Sequence, residues 1–210
     1  MAEQPVAAAV KRKRGRPAGT KITRDRFLTD DELTRFMKAA SKEPEDANLL
    51  MSLTYYYGLR VTEAVTLEWS DVNLLAHQIT IRALKGGTTR AYALPDVLDK
   101  ALARRFKRRT VSPWLFPARR RRDKAAHISA QKAKGLFKRI AAKAGIGAHS
   151  IHDLRHTCAM QRAASGDTIT ALASWLRHRR TETSMQYLTV AADAKHEAAL
   201  APVVGRFLQL

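Results

Sequence analysis

Residues 150–159 read SIHDLRHTCA, and residues 172–188 read LASWLRHRRTETSMQYL. In the first run His152 and Arg155 stand three apart, so a helix puts both on one face. In the second, His178 follows a helix end, and Tyr187 falls nine residues later in a short helix. Upstream, YYYGLRVTEAVTL (55–67) ends a helix at Gly58, a residue suited to the left-handed stop, and places Arg60 at a helix-to-helix corner. ALKGGTTRAYALP (83–95) puts Lys85 at the tip of a two-stranded hairpin.

Working outward, helical spacing dominates. LTDDELTRFMKAA opens with Thr29 as N-cap, Glu32 completing a capping box, and Leu28 and Leu33 as a hydrophobic staple. Further helices are expected over about 46–57, 62–67, 95–109, 129–144, 152–165, 168–177, 181–188 and 190–200. Gln78–Leu84 and Thr89–Leu94 alternate apolar and polar residues as a β-hairpin. Trp114–Phe116 is a short extended piece between two prolines. The fold class is therefore mostly α with a small antiparallel β-sheet (α+β). Residues 1–27 are expected to form a basic, disordered tail, and 28–210 the folded domain.

The chain has 210 residues, with 38 Lys and Arg against 19 Asp and Glu, a formal charge of +19. Such a balance points to an anionic partner, nucleic acid before a membrane surface. Residues 100–143 hold 16 Lys or Arg and one acid, Asp123, which adds to that expectation. One cysteine, Cys158, excludes an internal disulfide and fits a reducing cytoplasm, with nucleoid association the expected location. No run of 18 apolar residues exists to span a bilayer, and the opening MAEQPVAAAV lacks the charge order of a signal peptide.

The residue types define a chemistry. Arg60 and Arg155 suit bidentate clamping of a phosphate. Lys85, His152 and His178 supply proton donors and acceptors, and Tyr187 a hydroxyl nucleophile. No acidic cluster suggests a divalent metal site, so arginine charge would stabilise any phosphoryl transfer.

This set resembles the catalytic domain of the tyrosine recombinases, the phage integrase family. The resemblance rests on Arg60, Lys85, His152, Arg155, His178 and Tyr187, in order, with steps of 25 from Arg60 to Lys85, 3 from His152 to Arg155, 23 from Arg155 to His178, and 9 from His178 to Tyr187. Glu63 matches the acid usually found three after the first Arg, and His156 and Thr157 complete an LRHT stretch. Glu63 and His156 are read as supporting residues behind the six. The resemblance implies that Tyr187 attacks a DNA phosphodiester and forms a 3′-phosphotyrosyl link, with a 5′-hydroxyl released. It further implies Arg60, Arg155 and His178 on the phosphate, Lys85 protonating the leaving oxygen, and His152 assisting at the nucleophile. Neither ATP, metal nor other cofactor is implied. The partners implied are double-stranded DNA and further copies of the chain, from dimer to tetramer, without a membrane.

Two departures stand out. The helical core-binding domain usual ahead of this domain is not expected in the 27 residues before Leu28, which likens the chain to the short recombinases of fimbrial switches. And Arg177 replaces the glycine usual before the late His. In the tail, Arg14-Gly15-Arg16-Pro17 resembles an AT-hook core, with Arg14 and Arg16 directed into an A·T-rich minor groove. Arg119, Arg120, Arg121 and Arg122 are the other expected DNA contacts.

Plainer readings compete. Tyr187 resembles any half-buried helix tyrosine, and Arg60 with Glu63 a surface ion pair. Lysines are common in hairpin turns. Tyr55, Tyr56, Tyr57, Tyr92, Trp69, Trp114 and Trp175 read as packing. Rival functions are a DNA-binding regulator that does not cut, and a nicking-closing enzyme like type IB topoisomerases.

Overall fold

A computed structural model describes residues 26–83, 88–118 and 126–193. Helix α1 (Asp30–Ala40) starts as expected: Thr29 Oγ1 accepts from Glu32 N–H, and Glu32 returns a bond to Thr29 N–H at 2.9 Å. Its buried face is Leu33, Phe36, Met37 and Ala40. Leu28 is buried beside them, and its N–H donates to Thr157 Oγ1, tying the start of the fold to a helix 129 residues on. Phe27, assigned to the tail on sequence, is also buried.

Helix α2 (Glu45–Tyr56) ends at Gly58, whose φ of +57° is the left-handed stop the sequence predicts. Helix α3 (Val61–Val65) follows at once. The hairpin is part of a larger sheet. Strands β1 (Val72–Asn73), β2 (Gln78–Ile81) and β3 (Arg90–Ala93) lie antiparallel in that order, with Ile79 opposite both Val72 and Tyr92. At two residues β1 is too short to show an alternation, which is why it is not visible in the sequence. Ile79, Ile81 and Tyr92 turn inward.

Helices α4 (Asp96–Lys107), α5 (Ala130–Lys143), α6 (Ile151–Ala164), α7 (Ile169–Trp175) and α8 (Glu182–Asp193) complete the described fold. The two helices expected over 181–188 and 190–200 begin as one: α8 runs through Thr189 without a break, because that stretch holds no glycine or proline. The three tryptophans expected in the core are only half-buried.

Helix α6 is the axis of the molecule. Its Ile151, Leu154 and Cys158 join the main core with α1, α2, α5 and the sheet. Its Ala159, Met160 and Ala163 join a second cluster with Phe27, Leu172, Leu176 and Tyr187. A helix buried on most of its sides has to sit between layers, and each large apolar side chain it buries contributes roughly 1.5–3 kcal/mol. This placement carries His152, Arg155 and His156 to the seam between the two clusters.

Candidate active site

Two helix ends converge on buried arginines. Helix α2 ends with the carbonyls of Tyr57 and Gly58, and α7 with those of Trp175 and Leu176. Such terminal carbonyls lack helical partners and carry the negative end of the helix dipole. Arg155, 2% exposed, donates from Nη1 to Gly58 O (2.5 Å) and from Nη2 to Leu176 O (2.6 Å). Arg177 donates to Tyr57 O, Trp175 O and Gly58 O, and to the Tyr92 hydroxyl at 2.8 Å.

Glu63 ties the cations together. Its Oε1 lies 2.6 Å from Arg60 Nη1, and its Oε2 accepts from Arg60 N–H and from Arg177 Nη2, both at 2.9 Å. Arg155 Nη1 stands 3.8 Å from the same Oε2. Burial alone would raise the Glu63 pKa; Arg177, the Arg60 N–H and Arg155 together hold it below the ordinary carboxylate value. The Arg60 side chain remains 36% exposed, so it is the arginine of this group open to solvent. Burial, then the charge of Arg60, brings the Arg155 pKa down to about 10, which leaves it cationic at neutral pH.

The histidines and the tyrosine border this cluster. His178 Nδ1 lies 2.8 Å from Ser184 Oγ, and burial with the charges of Arg155 and Arg60 pushes its pKa down to about 3. His156 Nδ1 lies 2.8 Å from the Tyr187 hydroxyl. Burial, His152 and Arg155 lower the His156 pKa to about 3, so the ring is neutral at pH 7. The His152 ring meets that of His156 edge-on at 4.6 Å; the residue is exposed, yet desolvation by the surrounding fold, then Arg155, lowers its pKa too.

Tyr187 is 2% exposed, its ring among Phe27, Ala159, Met160, Leu172 and Leu176. Only the hydroxyl reaches the polar seam. Burial raises its pKa to about 12, and Arg155 and Arg60 are near enough to oppose that rise. The tyrosine is thus more deeply buried than the half-buried helix tyrosine of the plainer reading, with its hydroxyl held by His156.

Of the residues singled out on sequence, Arg60, Glu63, His152, Arg155, His156, His178 and Tyr187 come together here. Lys85, Arg14, Arg16, Arg119, Arg120, Arg121 and Arg122 lie outside the described residues. Arg177 and Ser184 carried no signal of their own; Arg177 was visible only as a missing glycine. The basic stretch is also less free than its composition suggests. Arg104 and Arg108 pair with Glu45, Arg105 with Asp46, and Arg139 and Lys143 with Glu43, so acids around the start of α2 offset part of its repulsion. Among the described residues no three His, Cys, Asp or Glu gather as metal ligands, and no helix is long and apolar enough to cross a membrane.

A family model described as the phage integrase family matches residues 26–194. The chain belongs to the phage integrase family. Within it, the tyrosine recombinase XerA of Pyrococcus furiosus is 31% identical over 177 residues, covering 84% of this chain and 61% of that protein. The chain thus spans about three-fifths of that relative's length. The type 1 fimbriae regulatory protein FimB of Escherichia coli K12 is 29% identical over 169 residues, covering 77% of this chain and 82% of FimB. The crystal structure of XerA recombinase superimposes with a TM-score of 0.69 at 25% identity, over 86% of this chain and 64% of that one. The phage integrase fold extends to a lambda integrase dimer bound to a core site, with a TM-score of 0.61 at 20% identity over 77% of this chain and 58% of that one.

Proposed function

We propose that this chain is a site-specific DNA recombinase that cuts and rejoins DNA through a 3′-phosphotyrosyl intermediate on Tyr187. One observation carries the reading: Arg60 and Arg155 are gathered about one carboxylate, Glu63, and the Tyr187 hydroxyl feels the charge of both. Family membership and the likeness to the tyrosine recombinase XerA support it.

In this reading Arg60, the exposed cation, receives the phosphate first, and Arg155 binds a second non-bridging oxygen. Fixed positive groups there oppose the charge that builds up as the phenolic oxygen adds to phosphorus. His178 donates a hydrogen bond to the same phosphate. His156, neutral at pH 7 and 2.8 Å away, holds the hydroxyl of Tyr187. His152 assists proton transfer at the nucleophile, and Lys85 protonates the leaving 5′-oxygen. The 5′-hydroxyl of a partner strand then attacks the phosphotyrosine and restores the diester. Bond energy stays in the covalent link, so the cycle consumes no ATP. Because the Tyr187 ring is buried, α8 has to shift when DNA enters, bringing the hydroxyl out to the phosphate. Strand exchange requires at least two copies of the chain on double-stranded DNA. Arg14, Arg16 and Arg119–Arg122 are proposed to grip its backbone and groove.

The test is trapping. The full chain is incubated with nicked duplexes drawn from its own genomic neighbourhood, then denatured. A protein–DNA adduct that survives denaturant and is lost in Tyr187→Phe supports the proposal. Relaxation of a supercoiled plasmid with no need for a target site would favour the nicking-closing alternative.

A further inference from the structure

Arg177 occupies a backbone position that favours glycine. Its φ is +56°, where a side chain costs on the order of 1 kcal/mol or more. It is nonetheless fully buried, and its guanidinium is spread over three carbonyls, a tyrosine hydroxyl and a carboxylate. Those bonds offset the backbone strain and also alter the neighbouring cations.

The alteration is at Glu63. Arg60 holds Oε1, while Arg60 N–H and Arg177 Nη2 hold Oε2. Arg155, at 3.8 Å, is beyond hydrogen-bond reach of that oxygen and is fixed by two neutral carbonyls instead. Three guanidinium groups against one carboxylate leave a formal charge of +2 in the cluster. With glycine at 177 the charge would be one lower, and Oε2 would keep only the Arg60 N–H, leaving it able to accept from Arg155 Nη1, now 3.8 Å away.

We propose that Arg177 is a positioning residue of the cleavage reaction: by occupying Glu63 it keeps Arg155 free of a directly bonded carboxylate, so that Arg155 meets the scissile phosphate with its charge undiminished. It acts through Glu63 and Arg155, since its own side chain has no exposure to DNA. This rests on the recombinase reading above. The benefit depends on the negative charge of the phosphate, which separates it from a purely structural role.

The experiment compares the full-length protein with Arg177→Gly and Arg177→Lys. Each is incubated with a nicked duplex on which the unmodified chain forms its adduct, carrying either a phosphodiester or an uncharged methylphosphonate at the scissile position. Arg177→Gly, which relieves the left-handed backbone, is expected to slow adduct formation on the phosphodiester by about 10- to 100-fold, as removing a residue that orients a contacting ligand does. Arg177→Lys keeps the charge and should recover most of that rate. On the methylphosphonate the gap between the unmodified chain and Arg177→Gly should close to within about threefold, less than half the free energy of a tenfold effect. Equal rates for all three proteins on the phosphodiester, or the same loss on both linkages, would overturn the proposal. If Arg177→Gly does not fold, Arg177→Gln, which removes the charge and keeps a hydrogen-bonding side chain, takes its place in the same two-linkage comparison, with the same loss expected on the phosphodiester and the same closing of the gap on the methylphosphonate. Failure of the unmodified chain to form any adduct would instead remove the recombinase reading, and this inference with it.

Discussion

The Nδ1 of His156 lies 2.8 Å from the hydroxyl of Tyr187, and this bond joins α6 to α8 where the polar seam meets the smaller apolar cluster. It places the tyrosine hydroxyl at the edge of the arginine cluster while the ring stays buried. The same contact thus orients the Tyr187 hydroxyl and restrains it.

Replacing His156 with Ala should therefore loosen α8. The expected loss is about 1 kcal/mol, typical of one neutral hydrogen bond. Backbone amides of α8 should exchange with deuterium faster, while those of α1 and α2 stay unchanged. Unaltered exchange in α8 would show that the apolar contacts of Tyr187 hold the helix by themselves.

Glu63 faces three guanidinium groups, and its loss leaves two of them, on Arg155 and Arg177, buried without a counter-charge. Glu63→Gln should cost about 3–5 kcal/mol, the range for breaking a buried ion pair. Asp31→Asn, which breaks the exposed pair with Arg35, should cost less than about 1 kcal/mol. Urea unfolding of the two variants side by side checks the contrast.

Acid should destabilise the fold well before its carboxylates titrate. His156 and His178 have folded-state pKa values near 3, below the ordinary 6.5. The unfolded chain therefore binds more protons between those values, so stability rises with pH across that window and is lost as pH falls through it. The depressed pKa of Glu63 acts in the same direction at lower pH, below the ordinary carboxylate value of 4.5. The melting temperature should drop steadily from pH 7 to pH 5, and His156→Gln should flatten that slope. A melting temperature independent of pH over this range would contradict the assignment.

Gly58 is confined by its neighbours as well as by its backbone. A Cβ there would sit 2.7 Å from Leu176 Cδ2, at a φ of +57°. Gly58→Ala should cost more than about 1 kcal/mol, and it should disturb the carbonyl that accepts from both Arg155 and Arg177. Thermal unfolding measures the first effect, and DNA-adduct yield the second.

Much of this was legible in the sequence because it depends on local pattern. The Thr29–Glu32 capping box, the Gly58 stop and the order of Arg60, His152, Arg155, His178 and Tyr187 are all written in short spacings. What escaped depends on contacts distant in the chain. Arg177 reads as a lost glycine until Glu63, 114 residues away, is brought to it. The acids around the start of α2 pair with arginines on α4 and α5 that composition alone counts as free charge. The burial of Tyr187 depends on Phe27, assigned to the tail on sequence, and on the packing of α6 against α8. The β1 strand was too short to leave a period.

The most direct measurement is the chemical identity of the linkage. The adduct is digested with protease and nuclease, and the nucleotide-bearing peptide is mapped by mass spectrometry. The account predicts a nucleotide joined through its 3′-phosphate to Tyr187, with a free 5′-hydroxyl on the released strand. Attachment through any other side chain, or a 5′-phosphate on the released strand, would contradict it.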